Sequence, residues 1–150
     1  MRRRIGALLT AALLAASSGC VRILPKDRPE PPAAVVDSHI LCAAVTPRGG
    51  WADPGPDASS FSRGAEAAVH SFLELRGVRG RHAAAWRWYG PSGLLVRASD
   101  PVDVGEEGRT YARYIAWDKM ALHEGREPGA WTVAVLIDGR LAASRSFEVR

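Results

Sequence analysis

Asparagine and glutamine are absent from this chain of 150 residues. The side-chain amides that sugar and adenine sites often use are therefore missing. Lysine is nearly absent too: Lys26 and Lys119 are the two present, and arginine carries the remaining cationic charge. Both biases fit GC-rich coding. Cysteine occurs twice, at Cys20 and Cys42, too few for a disulfide framework. No long apolar run exists. Residues 5–16 form a stretch of 12; as a helix it would reach roughly 18 Å, whereas spanning a bilayer core takes about 20 apolar residues.

Compact metal-ligand spacing is missing as well. The histidines stand at 39, 70, 82 and 123, and scattered core or surface positions account for them. The serines lie outside any Gly-x-Ser-x-Gly elbow. Gly77-Val-Arg-Gly80 and Gly90-Pro-Ser-Gly93 mark turns, since no helix follows either to hold a phosphate. The acidic residues Asp100, Asp103, Glu106 and Glu107 do not follow calcium-loop spacing and read as a solvated loop. Cys42, in an apolar stretch without a Cys-x-x-Cys partner, reads as a buried inert thiol. No cofactor, metal or catalytic residue is expected.

What is present begins at the N-terminus. Arg2, Arg3 and Arg4 precede the short apolar stretch, and Ser17, Ser18, Gly19 and Cys20 follow it. A charged head, a brief apolar run and small residues read as an export signal. The last of these residues resemble the lipobox of bacterial lipoproteins: Ser18, Gly19 and Cys20 match, while Ser17 stands where an aliphatic residue is usual. The resemblance implies cleavage before Cys20, acylation of Cys20 and anchoring in the lipid bilayer. Val21 after the cysteine leans toward the outer membrane, facing the periplasm. Two or more acyl chains anchor stably, at ~0.8 kcal/mol per buried CH₂. The alternative is ordinary signal cleavage, a soluble periplasmic or cell-surface protein, and a Cys20–Cys42 pair.

Removing residues 1–19 takes away Arg2, Arg3 and Arg4 and leaves 17 basic against 16 acidic residues. The high pI thus belongs largely to the leader, and no nucleic-acid partner is expected. Residues 20–34 are Pro-rich and charged, a tether extended at ~3.1 Å per residue if polyproline-like.

Residues 35–150 carry period-two patterning punctuated by turns. Strands are predicted over 35–45, 66–75, 82–89, 94–98 and 110–120, with a short helix over 65–72 as the alternative for the second. Trp86 and Trp88 share one face of the third strand, with Arg87 opposite. Trp131, Val133, Val135 and Ile137 alternate before Asp138-Gly139, and 141–149 runs back, a strong hairpin signal. Arg145 breaks the parity of that last strand, which predicts a bulge or an edge position there. Residues 46–63 read as a long loop with Trp51 in its middle, and 100–108 as an acidic loop. About seven strands of this kind predict an all-β antiparallel sandwich.

The layout resembles immunoglobulin-like or fibronectin-type modules of bacterial surface proteins. The resemblance rests on Trp86-Arg-Trp-Tyr-Gly-Pro-Ser-Gly93, Pro128-Gly-Ala-Trp-Thr-Val133, Asp138-Gly139 and Ser146-Phe147-Glu-Val149, and implies no catalytic residue. Trp86, Trp88 and Trp131 are expected in the core. Trp51 and Trp117 are the candidate binding residues, because aromatic anchors dominate interface energetics. The expectation is a non-enzymatic envelope lipoprotein that binds another envelope protein. The alternatives are a module that captures carbohydrate or peptidoglycan fragments on those aromatics, and a small hydrolase using His82 or His123.

Overall fold

The computed structural model describes residues 33–49 and 51–150. Cys20, the signal and nearly all of the tether lie outside the described residues. The strands are β1 (Val35–Cys42), β2 (Val45–Arg48), β3 (Trp51–Pro54), β4 (Ser60–Phe61), β5 (Ala68–Arg79), β6 (His82–Tyr89), β7 (Leu95–Ala98), β8 (Val102–Val104), β9 (Thr110–Ala121), β10 (Gly129–Ile137) and β11 (Arg140–Val149). The described residues contain no helix long and apolar enough to cross a membrane.

The sequence resolves into an immunoglobulin-like sandwich. A three-stranded sheet, β1-β5-β9, packs on a larger sheet of order β4-β11-β10-β6-β7, with β8 beside β6 and β2-β3 as a separate hairpin. The pairings are antiparallel except for the brief parallel contact of β4 with β11. The seven predicted strands correspond to β1, β5, β6, β7, β9, β10 and β11; the four additional ones are short.

Alternation explains the core. Trp86, Trp88, Val133 and Val135 have no exposed surface, while Arg87 between the two indoles is exposed. From the facing sheet come Leu41, Val69, Leu73, Leu75 and Met120. Each core indole finds an acceptor, as a buried N–H must. Trp86 Nε1 donates to Ser71 Oγ at 2.9 Å, Trp88 Nε1 to Asp118 Oδ2 at 2.8 Å, and Trp131 Nε1 to the Glu127 carbonyl at 2.9 Å.

Several expectations are corrected. The 46–63 stretch is not one loop. Val45 pairs with Pro54 and Arg48 with Trp51, so Trp51 opens β3. Pro47 and Pro54 hide these strands from a sequence reading, yet a two-stranded hairpin tolerates prolines that donate nothing to the ladder. The 100–108 stretch contains β8, whose Val104 is fully buried and pairs with His82. The second strand is not helical and continues to Arg79, with Gly77 at φ 62° carrying it from buried Leu75 to buried Val78.

The bulge in the β10–β11 ladder lies between Val135 and Leu136, opposite Ala142. Arg145 itself pairs in register with Val133, at a level where β11 is a sheet edge. Its Nη1 donates to the His39 carbonyl at 2.8 Å and to Asp57 Oδ1 at 2.8 Å. The parity break is thus a clasp between β11 and β1. Arg97 of β7 clasps the opposite flank, reaching Asp118 of β9 through two hydrogen bonds, one of them Nη2 to Oδ1 at 2.9 Å.

Candidate functional site

β9 is the edge strand of the smaller sheet, and alternation decides what each face presents. Ala116, Asp118 and Met120 turn into the sandwich. Arg113, Ile115, Trp117 and Lys119 therefore face outward. Trp117 keeps 42% of its surface exposed. One side of its indole stacks on Phe72 of β5, with centroids 6.3 Å apart and planes inclined by 18°.

The β2–β3 hairpin lies against this outer face. The Arg113 guanidinium sits 4.0 Å from the centre of the Trp51 ring, a cation–π distance. Arg113 is also forked onto Glu74, its Nη2 donating to Oε2 at 2.8 Å. The result is a groove of about 510 Å³ lined by Pro47, Trp51, Arg113, Tyr114, Ile115 and Trp117. A neighbouring cleft of about 350 Å³ is lined by Val45, Pro47, His70, Trp117, Asp118 and Lys119. Pro47 and Trp117 line both, so the two form one elongated surface along β9. Trp51 and Trp117, distant in sequence, are thus brought together. Sequence reasoning missed Pro47, Ile115 and Lys119; outward parity with Trp117 was the available signal for the last two.

Electrostatics along the surface are uneven. Arg48 pairs with Asp53 at 3.0 Å and Arg113 with Glu74, whereas Asp118 is committed to Arg97 and to the Trp88 indole. Among the described residues Lys119 has no carboxylate within ion-pair distance. Burial first, and the Lys119 charge second, hold the His70 imidazole below its ordinary pKa.

His39 Nε2 lies 2.7 Å from Ser71 Oγ, the spacing of a nucleophile and its base, but Ser71 has no exposed surface and also accepts the Trp86 indole N–H. His82 Nδ1 lies 2.7 Å from Asp138 Oδ2 and Nε2 lies 2.9 Å from the Arg79 carbonyl; both partners are acceptors, so the charged ring donates to both. The Asp138 hydrogen bond raises its pKa, and both ring nitrogens are engaged by these partners. His123 is exposed, on the loop after β9. Cys42 is a fully buried free thiol whose pKa burial pushes up. No cluster of three or more His, Cys, Asp or Glu suited to a metal occurs among the described residues.

No family model and no curated protein matches the chain. Solved structures do. Pseudomonas fluorescens alkylpurine DNA glycosylase AlkC, bound to DNA containing an abasic site analogue, shares 14% identity over 79% of this chain at a TM-score of 0.51. The chain spans 30% of that protein's length. An immunoglobulin-like protein of Pseudomonas aeruginosa shares 17% identity, with 78% of this chain and 96% of that one covered, at a TM-score of 0.45. A CARDB domain from Pyrococcus furiosus, in complex with di-metal ions, shares 10% identity, with 75% and 88% covered, at a TM-score of 0.39. At such identities the likeness speaks to fold. Strand order and the packing of the two sheets make the domain an antiparallel β-sandwich of immunoglobulin-like kind; function rests on the site.

Proposed function

We propose that this chain is a non-enzymatic binding module of the bacterial envelope, held at the outer membrane by acylated Cys20 and facing the periplasm. Residues 20–34 act as a spacer, and the sandwich presents the Trp51–Trp117 groove to another envelope protein. The observation that supports this most is the convergence of two indoles, from separate elements, on one open and largely apolar surface. A core position explains the other indoles of the sandwich, Trp86, Trp88 and Trp131; it does not explain Trp117. Exposed aromatic anchors of this kind carry most of the energy in protein interfaces.

The test is crosslinking in intact cells from a photoreactive residue at Ile115, with Trp51→Ala and Trp117→Ala as variants. Adducts that disappear in both variants support the reading. Adducts unchanged in both refute it. Intact mass gives the anchor its own test: a fatty-acid adduct on the fragment beginning at Cys20 is expected, and an unmodified cysteine removes the tethering. A second reading is carbohydrate capture, favoured by the platform that Phe72 makes behind the Trp117 indole. Tryptophan fluorescence titrated with peptidoglycan fragments decides it; a flat response rules it out.

A further inference from the structure

We infer that the surface along β9 takes an extended, acidic and apolar peptide segment of its protein partner, with a carboxylate meeting Lys119; this rests on the groove being the binding surface proposed above. The outward residues Arg113, Ile115, Trp117 and Lys119 follow one another at alternate positions of a single strand. They span ~20 Å, the reach of about six extended residues. The two clefts meet at Pro47 and Trp117, so the surface is continuous over that length. A segment laid along it meets, in order, Trp51 and Arg113, then Ile115 and Trp117, then Lys119.

Charge chooses the chemistry of that segment. At the Trp51 end the cation is spent twice, on the indole and on Glu74. The centre is apolar. At the far end Lys119 projects an ammonium with no carboxylate in reach, beside His70, which burial and that same ammonium keep from charging. Asp118 is the nearest carboxylate in sequence, but it points inward to Arg97 and Trp88. A basic segment would meet like charge at Lys119. A neutral one would leave it unpaired while covering its surroundings. An acidic residue beyond one or two apolar side chains complements the order found here.

The experiment measures binding of dye-labelled hexapeptides to the full chain in lipid nanodiscs. The probes are built of Leu, Pro and Trp and end in Asp, Ser or Lys. Asp peptides should bind about two- to fivefold tighter than Ser peptides, the worth of one ion pair at the solvent edge, and Lys peptides weakest. Lys119→Glu, an exposed position that leaves the core intact, should invert that order. Trp117→Ala should weaken all three probes alike. An order unchanged in Lys119→Glu, or no peptide bound while Trp-dependent crosslinks persist, overturns the acidic segment and leaves the groove's role standing. Loss of the Trp dependence of the crosslinks takes both readings down. Lys119-dependent binding to phosphatidylglycerol vesicles without any ranking among peptides assigns the patch to lipid and also overturns the inference.

Discussion

Acid should destabilise this domain chiefly through His39 as the pH falls from 6.5 toward 4. His39 is mostly buried on β1, and Ser71 Oγ beside it already accepts the Trp86 indole N–H. The Ser71 hydroxyl can donate to His39 Nε2 or accept from it, according to the tautomer, but Nδ1 is buried and has no hydrogen-bond partner among the described residues. A charged ring carries a proton on both nitrogens, so protonation would bury an N–H that nothing accepts. Burial, followed by the nearby Arg145 charge, lowers the His39 pKa from 6.5 to about 4. The unfolded chain then binds a proton near pH 6.5 that the native state refuses until about pH 4. This contribution is neutral above pH 6.5, and stability falls with pH between those limits. At 1.36 kcal/mol per pKa unit, the loss is about 3 kcal/mol. Against a typical total of about 5–15 kcal/mol, that is a large fraction.

Urea unfolding followed by tryptophan fluorescence at pH 7.5, 6.5, 5.5 and 4.5 measures it, with His39→Gln as the comparison because it keeps a hydrogen-bonding group but cannot titrate. His70, also lowered, and His82, raised by Asp138, titrate alike in both proteins and cancel in the difference. The native protein should lose about 2.5 kcal/mol more than the variant between the first and last pH. Parallel pH profiles, or a His39 ring proton that titrates near pH 6.5 by NMR, would refute the reasoning.

Other perturbations test the clasp and the turns. Asp57→Ala leaves the Leu41 N–H and the Arg145 guanidinium without their carboxylate; a loss of about 1–2 kcal/mol is expected, read as a lower thermal midpoint. Asp138 holds a left-handed φ of 51°, accepts the Ala83 N–H and pairs with His82. Asp138→Gly should recover the conformation that Asp138→Ala strains, yet in both variants the His82 pKa should fall toward 6.5 by NMR, from the raised value that Asp138 supports. A Cβ on Gly105, at φ 76°, would overlap the Gly80 carbonyl oxygen and crowd Val78. Gly105→Ala should therefore cost about 2 kcal/mol or more in urea unfolding, whereas Gly139→Ala, which meets no neighbour, should cost only its backbone strain of ~1–2 kcal/mol.

Where the sequence was legible, one element carried its own signal. Alternation around Trp86 and Trp88 defines β6, and Asp138-Gly139 defines the β10–β11 turn, because both are local consequences of side-chain period and backbone φ. The β2–β3 hairpin was illegible for the opposite reason. Pro47 and Pro54 read as breakers, and the hairpin's place against the outer face of the smaller sheet is a tertiary fact. Arg145 was legible as an anomaly but not as a clasp, since its partners His39 and Asp57 come from distant chain.

β9 shows why the groove itself could not be read. Its two parities, Tyr111, Ile115 and Trp117 against Ala112, Tyr114 and Ala116, are about equally apolar, so periodicity alone could not say which faced the core. The facing sheet decides. Trp86 and Trp88 of β6 fill the interlayer space, and Trp88 also needs an acceptor for its indole N–H. The parity with small Ala116 and with Asp118 satisfies both demands, at the volume and at the hydrogen bond. Placing Trp117 inward would crowd another indole against those two and leave the Trp88 N–H without its acceptor, at ~1–3 kcal/mol for the lost partner alone. Trp117 is therefore displaced to the surface by the packing of the core. The same choice of face that completes the sandwich builds the aromatic surface.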